Sequence, residues 1–380
     1  MEKVITLQTS PLPVKTWRYL KVNKAEIAVP EKLQCNAKSN ISLIDSNIEK
    51  ISQKTLFEKL NPKEIEGSLG KDFNDWFVSQ NIECNVLNLS SSDDDKVYHV
   101  VLNVKDNDDY AGIFVINAKE NAKGKVLFEI VSDNEGTSNS KTDAAPLTEG
   151  TQLPAGGTVC LYVLCNIEKN ANIELSEVQL LNESKQFISN TIFTQSESSK
   201  AMFTRCNFGS QKSYVGLKTT LQQNDASFES RLAYITHKTQ FLDINDLAVH
   251  VGKKTQSDFI TQGVMLGSSY KNYKGTIDLQ KGCTGSLGNE LEDVLLLSDD
   301  VINKTTPIIL CSEEDVQGNH GATLGKINDD VLFYMNSRGL SSELAKQMIA
   351  KGKLYKILLA TPNEKLIESA NNYLNSAFKI

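Results

Sequence analysis

The chain has 380 residues, of which 40% are hydrophobic and 23% are charged, and its formal net charge is −7. This composition is typical of a folded protein, and the acidic balance argues against general nucleic-acid binding, which usually requires a basic surface. No apolar run reaches the roughly 18 residues needed to cross a bilayer, and the N-terminus lacks the apolar segment of a secretory signal, so we expect a cytoplasmic protein without membrane contact.

The N-terminal region, 1–95, is predicted to be a mixed and mostly helical domain. The stretches "SQKTLFEKLN" and "GKDFNDWFVSQN" carry apolar residues at helical spacing, which places Trp76 and Phe77 on a buried stripe. The polar stretch at 88–96 contains an acidic run, but it lacks the alternation and the glycine of a calcium loop. We therefore interpret that stretch as a solvated linker.

The middle region, 96–326, predicts a long run of short β-strands. Apolar, β-branched runs alternate with corners rich in Asn, Ser, Asp, Gly and Lys, and the runs lie too close together for crossover helices between parallel strands. An antiparallel sandwich and a β-solenoid both remain compatible with this spacing. The number of runs, the lack of Asn-Gly or Asp-Gly hairpin turns and the alternation in "TIDLQ" and "NTIFT" favour the solenoid, with helices closing its two ends.

The seven cysteines are scattered without CxxC spacing, which argues against a disulfide framework. Cys160 and Cys165 lie in one β-type run, "VCLYVLCN", at an odd separation. Because successive side chains of a strand point to opposite faces, the two thiols are expected on opposite sides of the sheet. We interpret both as buried small hydrophobic residues rather than joint metal ligands.

The C-terminal region, 327–380, predicts three helices. The first, in "INDDVLFYMNSRGL", ends at Gly339, and the second, in "SSELAKQMIAKG", begins with a serine cap and ends or kinks at Gly352. The third begins with a capping box in which Thr361 is the cap and Glu364 reaches back. Its apolar stripe either closes the solenoid or binds a partner, and periodicity alone leaves both alternatives open.

A search for catalytic motifs finds no HExxH, GxSxG, CxxC or GxGxxG pattern. His99, His237 and His250 lie in strand-like segments and are interpreted as outward-facing or satisfied strand histidines rather than ligands. The carboxylates of "GNELEDVLLLSDD" are interpreted as surface residues. His320 differs because it lies in a Gly/Asn-rich turn, "GNHGATLG", that lacks the glycine and hydroxyl of a phosphate loop. An imidazole can bind iron or zinc, but one histidine needs further ligands, which another chain could supply.

The segment "NHGATLGKINDDVLFYMNSRGLSSELAKQMI" closely resembles the signature of the SufB/SufD family of iron–sulfur cluster assembly scaffolds, in which a "HGAT-G" turn precedes an acidic helix. Upstream, "LLLSDDVINKTTPIILCSEEDV" is similar to the last solenoid coils of that family. Near the N-terminus, "LPVKTWRYLKVN" resembles its "LP…E-W-R-Y-T" segment, with Lys15 and Leu20 in place of an acidic residue and a threonine.

The resemblance implies a right-handed parallel β-helix flanked by N-terminal and C-terminal helical domains. It also implies a scaffold without catalysis of its own, on which iron–sulfur clusters form transiently at a subunit interface, with a flavin possible in the complex but no cofactor held stably by this chain alone. In the family, SufB and SufD pair through their β-helices, a cysteine desulfurase system is linked indirectly, and the ABC-type ATPase SufC docks on the C-terminal helices. On this chain the docking residues would be Leu332, Phe333, Tyr334, Arg338, Met348 and Ile349.

The turn around His320 resembles the SufD branch. SufB-like members have a carboxylate after the histidine, where this chain has Gly321. They also have a cysteine before the "LLLS"-type strand, at a position that falls near Glu292 here. The resemblance therefore implies that His320 takes part in cluster formation at the interface with a SufB-like subunit.

Other ligands are less well defined by the resemblance. SufD members often have a cysteine two residues before the histidine, where this chain has Gly318. Cys283 and Cys311 lie on neighbouring coils and could supply local thiols, although no family motif supports them. Two alternatives remain: a homodimeric structural or binding β-solenoid without an ATPase partner, and a β-helix carbohydrate-active enzyme, for which no regular acidic ladder is present.

Overall fold

The computed structural model describes residues 3–16, 21–35, 40–43, 48–59, 65–91, 96–132 and 153–378. Residues 17–20 of the N-terminal resemblance and 92–95 of the predicted linker therefore lie outside the described residues. Of the twenty strands in these residues, eighteen form two nine-stranded sheets.

The β20 sheet, named for its last strand, contains β3 (Asn40–Leu43), β6 (Val97–Val104), β8 (Lys123–Ser132), β10 (Asn172–Leu180), β12 (Lys200–Asn207), β14 (Ser227–Thr236), β16 (Gln256–Met265), β18 (Leu287–Leu296) and β20 (Gln317–Gly325). The β19 sheet contains β4 (Ile48–Ser52), β5 (Glu83–Leu89), β7 (Tyr110–Ala118), β9 (Thr158–Ile167), β11 (Gln186–Gln195), β13 (Lys212–Leu221), β15 (Phe241–His250), β17 (Tyr270–Leu279) and β19 (Ile302–Cys311). A separate antiparallel ribbon contains β1 (Val4–Thr9) and β2 (Ala25–Pro30).

The two sheets form a parallel β-helix of about eight coils, which confirms the predicted fold class. Each coil contributes one strand to each sheet, so that Asn172, Lys200 and Ser227 stand in register on three successive coils. Only β3 and β4, at the N-terminal end, pair antiparallel with the coils. The predicted boundary at residue 95/96 falls between β5 and β6, which both belong to these sheets.

The corners between strands are stabilised by residues that tolerate the left-handed region. Asn121 and Asn170 occupy the same corner of successive coils with φ of 60° and 57°, a conformation in which asparagine is enriched. The Asn170 side chain donates a hydrogen bond of 3.2 Å to the Asn121 side chain. Corners of Asn, Ser, Asp, Gly and Lys therefore replace hairpin turns, as the sequence predicted.

The inner faces of both sheets form the core of the β-helix, which we call the lumen. In the early coils the lumen is filled by apolar side chains, including the edge-to-face pair Phe114 and Phe128, whose ring centroids are 5.0 Å apart. Cys165 belongs to this core, whereas Cys160 packs against the N-terminal region on the outer face of the β19 sheet. The prediction that the two thiols are buried on opposite faces is confirmed.

Two short helices, α1 (Gln53–Lys59) and α2 (Lys71–Val78), lie in the N-terminal region where helices were predicted. Trp76 and Phe77 are buried, and the Phe77 ring stacks on Tyr162 of β9 with centroids 5.1 Å apart. This region also contains five strands, more than a mostly helical region would have. It packs on the outer face of the β19 sheet.

The C-terminal helices are α3 (Asp329–Ser337), α4 (Ser342–Leu358) and α5 (Glu364–Ala377). The predicted stop at Gly339 and the Ser341 cap are confirmed, but α4 continues through Gly352 to Leu358. The predicted Thr361 capping box is wrong, because the Asn363 side chain accepts the hydrogen bond from the Leu366 amide.

The expectation that these helices close the end of the solenoid is wrong. The apolar faces of α4 and α5, with Leu354 and Leu374 at their centre, pack on the outer face of the β20 sheet against Val178, Ile235 and Leu295. The stripe of α5 is therefore buried along the side of the β-helix and is not a partner surface. The last coil, β19 with β20, remains open.

Candidate functional site at the open end of the β-helix

His320 lies in the middle of β20, the last strand of its sheet. One side of β20 pairs with β18, where Glu290 is the register partner of His320, and its other side is an unpaired edge. The imidazole is exposed. The sequence suggested a turn at this position, whereas the structure shows the terminal rung of the solenoid.

The side chain of His320 faces the lumen. At Gly318, two residues earlier on the same face, an added Cβ would lie 2.9 Å from Cγ2 of Ile309 on the opposite sheet. The intervening Asn319 points outward, because its amide donates a 2.9 Å hydrogen bond to Asn289 on the outer face of β18. Since side chains alternate along a strand, His320 shares the inward direction of Gly318.

The carboxylates of β18 next to His320 are buried, which corrects their assignment to the surface. Glu290 and Glu292 were interpreted as surface residues, but they are only 4% and 1% exposed and point into the lumen. The carboxylate of Glu290 reaches β17, where an added Cβ at Gly275 would lie 2.2 Å from its Oε1. Burial, reinforced by Asp246 and Glu292, raises the pKa of Glu290 to about 8.

Glu292, the position where the resemblance placed a cysteine in SufB-like members, is held by a buried ion pair. Its Oε1 lies 2.5 Å from Nζ of Lys271, and its Oε2 accepts a 2.7 Å hydrogen bond from the Thr305 hydroxyl. Lys271 also donates to Thr305 at 3.0 Å. Because Glu292, Lys271 and Thr305 satisfy one another's hydrogen bonds, Glu292 has a structural role.

The lumen changes character along the β-helix. Its early coils are apolar, whereas Arg205 and Asp246 form a buried ion pair further along, joined by two hydrogen bonds of 2.9 and 2.5 Å. Sequence analysis missed these residues, Lys271 and Glu290. The detectable signal was their position in the strand alternation, which Arg205 shares with the buried Phe203 on β12 and Glu290 shares with the buried Val294 on β18.

The thiols of Cys283 and Cys311 lie near the open end of the β-helix but make no contact with His320 in the described residues. Cys283 is buried at the corner after β17 with Ile277 and Leu279, and burial raises the pKa of its thiol. Cys311 is the exposed last residue of β19, and its Sγ lies 3.1 Å from the backbone oxygen of Glu313. In the described part of the chain, no group of three or more His, Cys, Asp or Glu side chains could hold a metal ion.

Of the other three histidines, His250 has a hydrogen-bond partner at both ring nitrogens, whereas Nδ1 of His237 is buried with no such partner among the described residues. His250 is bonded at 2.8 Å to both Thr255 and Ser257, and His99 lies 2.8 Å from a carboxylate oxygen of Glu129. His237 contacts the Tyr373 hydroxyl at 3.3 Å.

The free edge exposes a regular set of backbone groups. The Gln317 amide donates a hydrogen bond to the Ser286 carbonyl, next to the start of β18. The backbone amides and carbonyls of odd-numbered β20 residues therefore bond to β18, and those of even-numbered residues face the free edge. On β19, the Ile302 amide donates to Ser269, which leaves the odd-numbered residues at the edge. Pro307, which has no amide hydrogen, occupies one of these odd positions, where a strand tolerates proline.

An exposed apolar surface lies on α3 and the start of α4. Phe333 is 75% exposed and Tyr334 is 58% exposed, and the Arg338 guanidinium lies over the Tyr334 ring at 5.3 Å from its centroid. Met348 on α4 is 50% exposed, whereas Leu332 and Ile349 are half-buried. We call these six residues the α3–α4 surface. Exposed aromatic and methionine side chains on two neighbouring helices are typical of interaction sites.

The buried Glu177 in β10 gives a pH-dependent prediction. Burial raises the pKa of its carboxyl to about 7, although the Ser189 hydroxyl, 2.6 Å away, and Arg205 favour the charged form. Because the pKa of Glu177 is higher in the folded state than in the unfolded state, the protonated carboxyl stabilises the fold at low pH. This stabilisation is lost as the pH rises toward and through 7. Between about pH 5.5 and about pH 8, Glu177→Gln should gain about 2 kcal/mol over the wild type in free energy of unfolding.

The measurement for Glu177→Gln is urea unfolding at several pH values. The control is Glu174→Gln on the same strand, whose half-exposed carboxylate pairs with Lys125 at 3.1 Å and should show no such trend. A difference between Glu177→Gln and the wild type that stays constant with pH would contradict the assignment.

No helix in the described ranges has both the length and the apolar character required to cross a membrane.

Comparison with known proteins identifies the family of the solenoid. Residues 102–353 match the SufBD core domain of the SUF system for FeS cluster assembly, a range that covers most of the coils and the start of the C-terminal helices. The N-terminal ribbon and α5 lie outside the matched range.

Several SufBD family proteins are similar to this chain. The iron–sulfur cluster assembly protein slr0074 of Synechocystis is 25% identical over 264 residues, which cover 67% of this chain and 54% of that protein. The chloroplastic protein ABCI8 of Arabidopsis thaliana is 26% identical over 66% of this chain and 46% of its own length, and ycf24 of Antithamnion is 27% identical over 69% and 89%. The matched region therefore spans about half the length of the first two relatives. This chain belongs to the SufBD core-domain family of iron–sulfur cluster assembly proteins.

Proposed function

We propose that this chain is a SufD-like subunit of an iron–sulfur assembly scaffold that pairs with a SufB-like subunit through the open end of its β-helix. The observation that carries the proposal is the placement of His320, exposed and facing the lumen on an unpaired edge strand. An imidazole there could join ligands from a second chain. The Gly321 that follows it, in place of a carboxylate, supports the SufD-like assignment.

The last coil provides a suitable surface for a second solenoid. The even-numbered amides and carbonyls of β20 face the edge, and exposed strand edges are templates for pairing with another chain. The lumen end also exposes residues that neighbouring coils would otherwise cover, since every residue of β20 is at least partly exposed. A second copy of this chain could fill the same role, which keeps a homodimer as the second candidate.

The α3–α4 surface would bind a SufC-like ATPase. Its exposed aromatic and methionine side chains have the composition that is enriched at protein interfaces. They lie away from the buried stripe of α5, so a partner could bind them without displacing the helices from the β20 sheet. ATP hydrolysis would then belong to that partner, and this chain would act as a scaffold.

The cluster would be cargo that forms transiently, with His320 as the ligand from this chain. Cys283 and Cys311 are not assigned as ligands, because Cys283 is enclosed by apolar side chains and Cys311 lies at the far end of β19. A flavin would belong to the assembled complex and is given no site here. The complex would work in the cytoplasm or in a plastid, since one relative is named as chloroplastic.

A carbohydrate-active enzyme is not proposed. Such an enzyme needs two carboxyl groups that face an accessible groove, whereas Glu290 and Glu292 are enclosed in the lumen.

Complex formation tests this proposal. The chain would be co-expressed with the SufB-like and ATPase proteins encoded beside it, and the purified complex should contain both. Phe333→Asp should remove the ATPase, because a charge replaces an exposed aromatic anchor, and should leave pairing intact. Ala322→Pro removes an edge-facing amide of β20 without breaking a bond to β18, and should weaken pairing about 10- to 100-fold.

The two variants control for each other, and Ala322→Ser keeps the amide as a matched control. Pairing measured by sedimentation should be unchanged for Ala322→Ser. Recovery of the chain as a self-associated dimer with no ATPase would favour the homodimeric solenoid instead. Normal pairing by Ala322→Pro would contradict the edge interface.

A further inference from the structure

We propose that the charge on the last coil selects the partner of the open end, favouring a solenoid end that carries lysine or arginine at its corners and opposing a second copy of this chain. Pairing at this end is itself part of the proposed function, on which this inference rests. The selecting surface consists of the two corners of the last coil, 297–301 before β19 and 312–316 before β20, which we call the acidic rim. It lies beside the free backbone edges of both strands.

The charge of the corners changes sign at the last coil. The acidic rim contains five carboxylates and no lysine or arginine, namely Asp299, Asp300, Glu313, Glu314 and Asp315. The six corners of the three preceding coils contain four lysines and one carboxylate, namely Lys238, Lys253, Lys254, Lys281 and Asp225. The formal charge of the corners therefore changes from +3 over three coils to −5 on the last coil alone.

The rim carboxylates are charged and largely available to a partner. Asp300, Glu314 and Asp315 are exposed and form no ion pair within the described ranges. Glu313 is bonded to the backbone, since its carboxylate accepts hydrogen bonds from the Gly282 amide at 2.8 Å and the Glu314 amide at 3.0 Å. These bonds lower the pKa of Glu313, so its charge persists at neutral pH.

The two lysines nearest to the rim in sequence neutralise little of its charge. Lys326 forms an ion pair with Asp299, in which both side chains are exposed. Nζ of Lys304 lies over the Tyr270 ring, 5.2 Å from its centroid. Four of the five rim carboxylates are therefore without an ion pair in the part of the chain that the structure describes.

A second copy of this chain would bring like charges together. Self-pairing through one surface presents the same patch on both subunits. Because both corners of the last coil are acidic, each would meet an acidic corner in either orientation. Like charges opposed across an interface disfavour binding, whereas opposite charges steer association and raise its rate. The backbone edges of β19 and β20 would provide pairing in both cases, and the rim would decide between the two partners.

Self-association of the isolated full chain tests the rim without a partner. At an ionic strength of about 20 mM the wild type should sediment as a monomer, and about 0.5 M NaCl should strengthen self-association because it screens the repulsion. Glu314→Gln with Asp315→Asn should strengthen self-association at least tenfold at low ionic strength. The matched control is Glu120→Gln with Asp225→Asn, which removes two exposed carboxylates from earlier corners and should behave like the wild type. A stable wild-type dimer at low ionic strength, or no gain in the rim variant, would overturn the proposal.

Association with the SufB-like chain encoded beside this one tests the attraction. The association rate constant should fall at least tenfold between about 20 mM and about 0.5 M salt. Glu314→Lys with Asp315→Lys should lower it at least tenfold at low salt, and Glu120→Lys with Asp225→Lys, which changes the net charge equally, should lower it much less. Circular dichroism would verify that each variant is folded.

The two experiments separate this inference from the proposed function. Equal slowing by the rim variant and its control would show that only net charge matters, and would overturn the rim while leaving the pairing intact. Failure of the wild type to pair with the SufB-like chain at any salt concentration would contradict the proposed function. The self-association result would still decide whether the rim opposes a second copy.

Discussion

Replacing Asp246 by Ala is expected to lower the free energy of unfolding by about 3–5 kcal/mol, because it removes the carboxylate that is hydrogen-bonded to the buried Arg205 guanidinium. The side chains of this pair are only 3% and 1% exposed. Arg205 keeps one further hydrogen bond, 2.9 Å to the Ser230 hydroxyl. That contact cannot replace a carboxylate in an environment from which water is excluded.

Urea unfolding of three variants measures this effect. The double variant Arg205→Met with Asp246→Leu should recover most of the lost stability, since buried ion pairs can often be replaced by apolar side chains of similar volume. The surface pair Lys169 and Glu197, with a 2.7 Å contact, is the control. Glu197→Ala should cost less than about 1 kcal/mol. A similar small cost for Asp246→Ala would show that the lumen is hydrated around Arg205.

The strands of the solenoid were predictable because they are encoded locally. Alternation in runs such as "NTIFT" indicates one buried face, and corners such as Asn121 and Asn170 indicate residues that tolerate positive φ. The same local logic predicted the opposite directions of Cys160 and Cys165. Each of these features depends on a few neighbouring residues, so the sequence contains enough information to define it.

The position of the C-terminal helices was not predictable in this way. The stripe that includes Leu366, Ala370 and Leu374 shows that one face of α5 is buried, but it does not say against which surface. A helix that covers the end of the β-helix and a helix that packs along its side need the same spacing of apolar residues. The choice depends on the apolar outer face of the β20 sheet, contributed by residues as distant as Val178 and Leu295.

The candidate site was only partly predictable for a related reason. His320 stood out because histidine is rare here and because its turn matched a known signature. Glu290 and Glu292 were assigned to the surface because acidic residues are seldom buried without partners. The partners of Glu292, Lys271 and Thr305, lie on strands of the opposite sheet, and contacts across the lumen cannot be read from one strand alone.

Replacing His320 by Ala is expected to abolish cluster assembly by the complex while leaving the fold and the pairing intact. The ring is exposed at the last rung, so its loss creates no cavity in the packed lumen and should change the free energy of unfolding by less than about 0.5 kcal/mol. The chemical effect is large because no other histidine lies in this coil. The measurement is the iron and sulfide content of the purified complex, together with its visible absorption.

Asn319→Ala is the matched control, since Asn319 is adjacent, exposed and directed to the outer face. It should assemble clusters like the wild type. His320→Asn retains polarity without the imidazole nitrogen that binds iron, so it should fail as His320→Ala does if ligation is the role of the ring. Full assembly by His320→Asn would show that the residue acts through hydrogen bonding, and full assembly by His320→Ala would remove it from the site altogether.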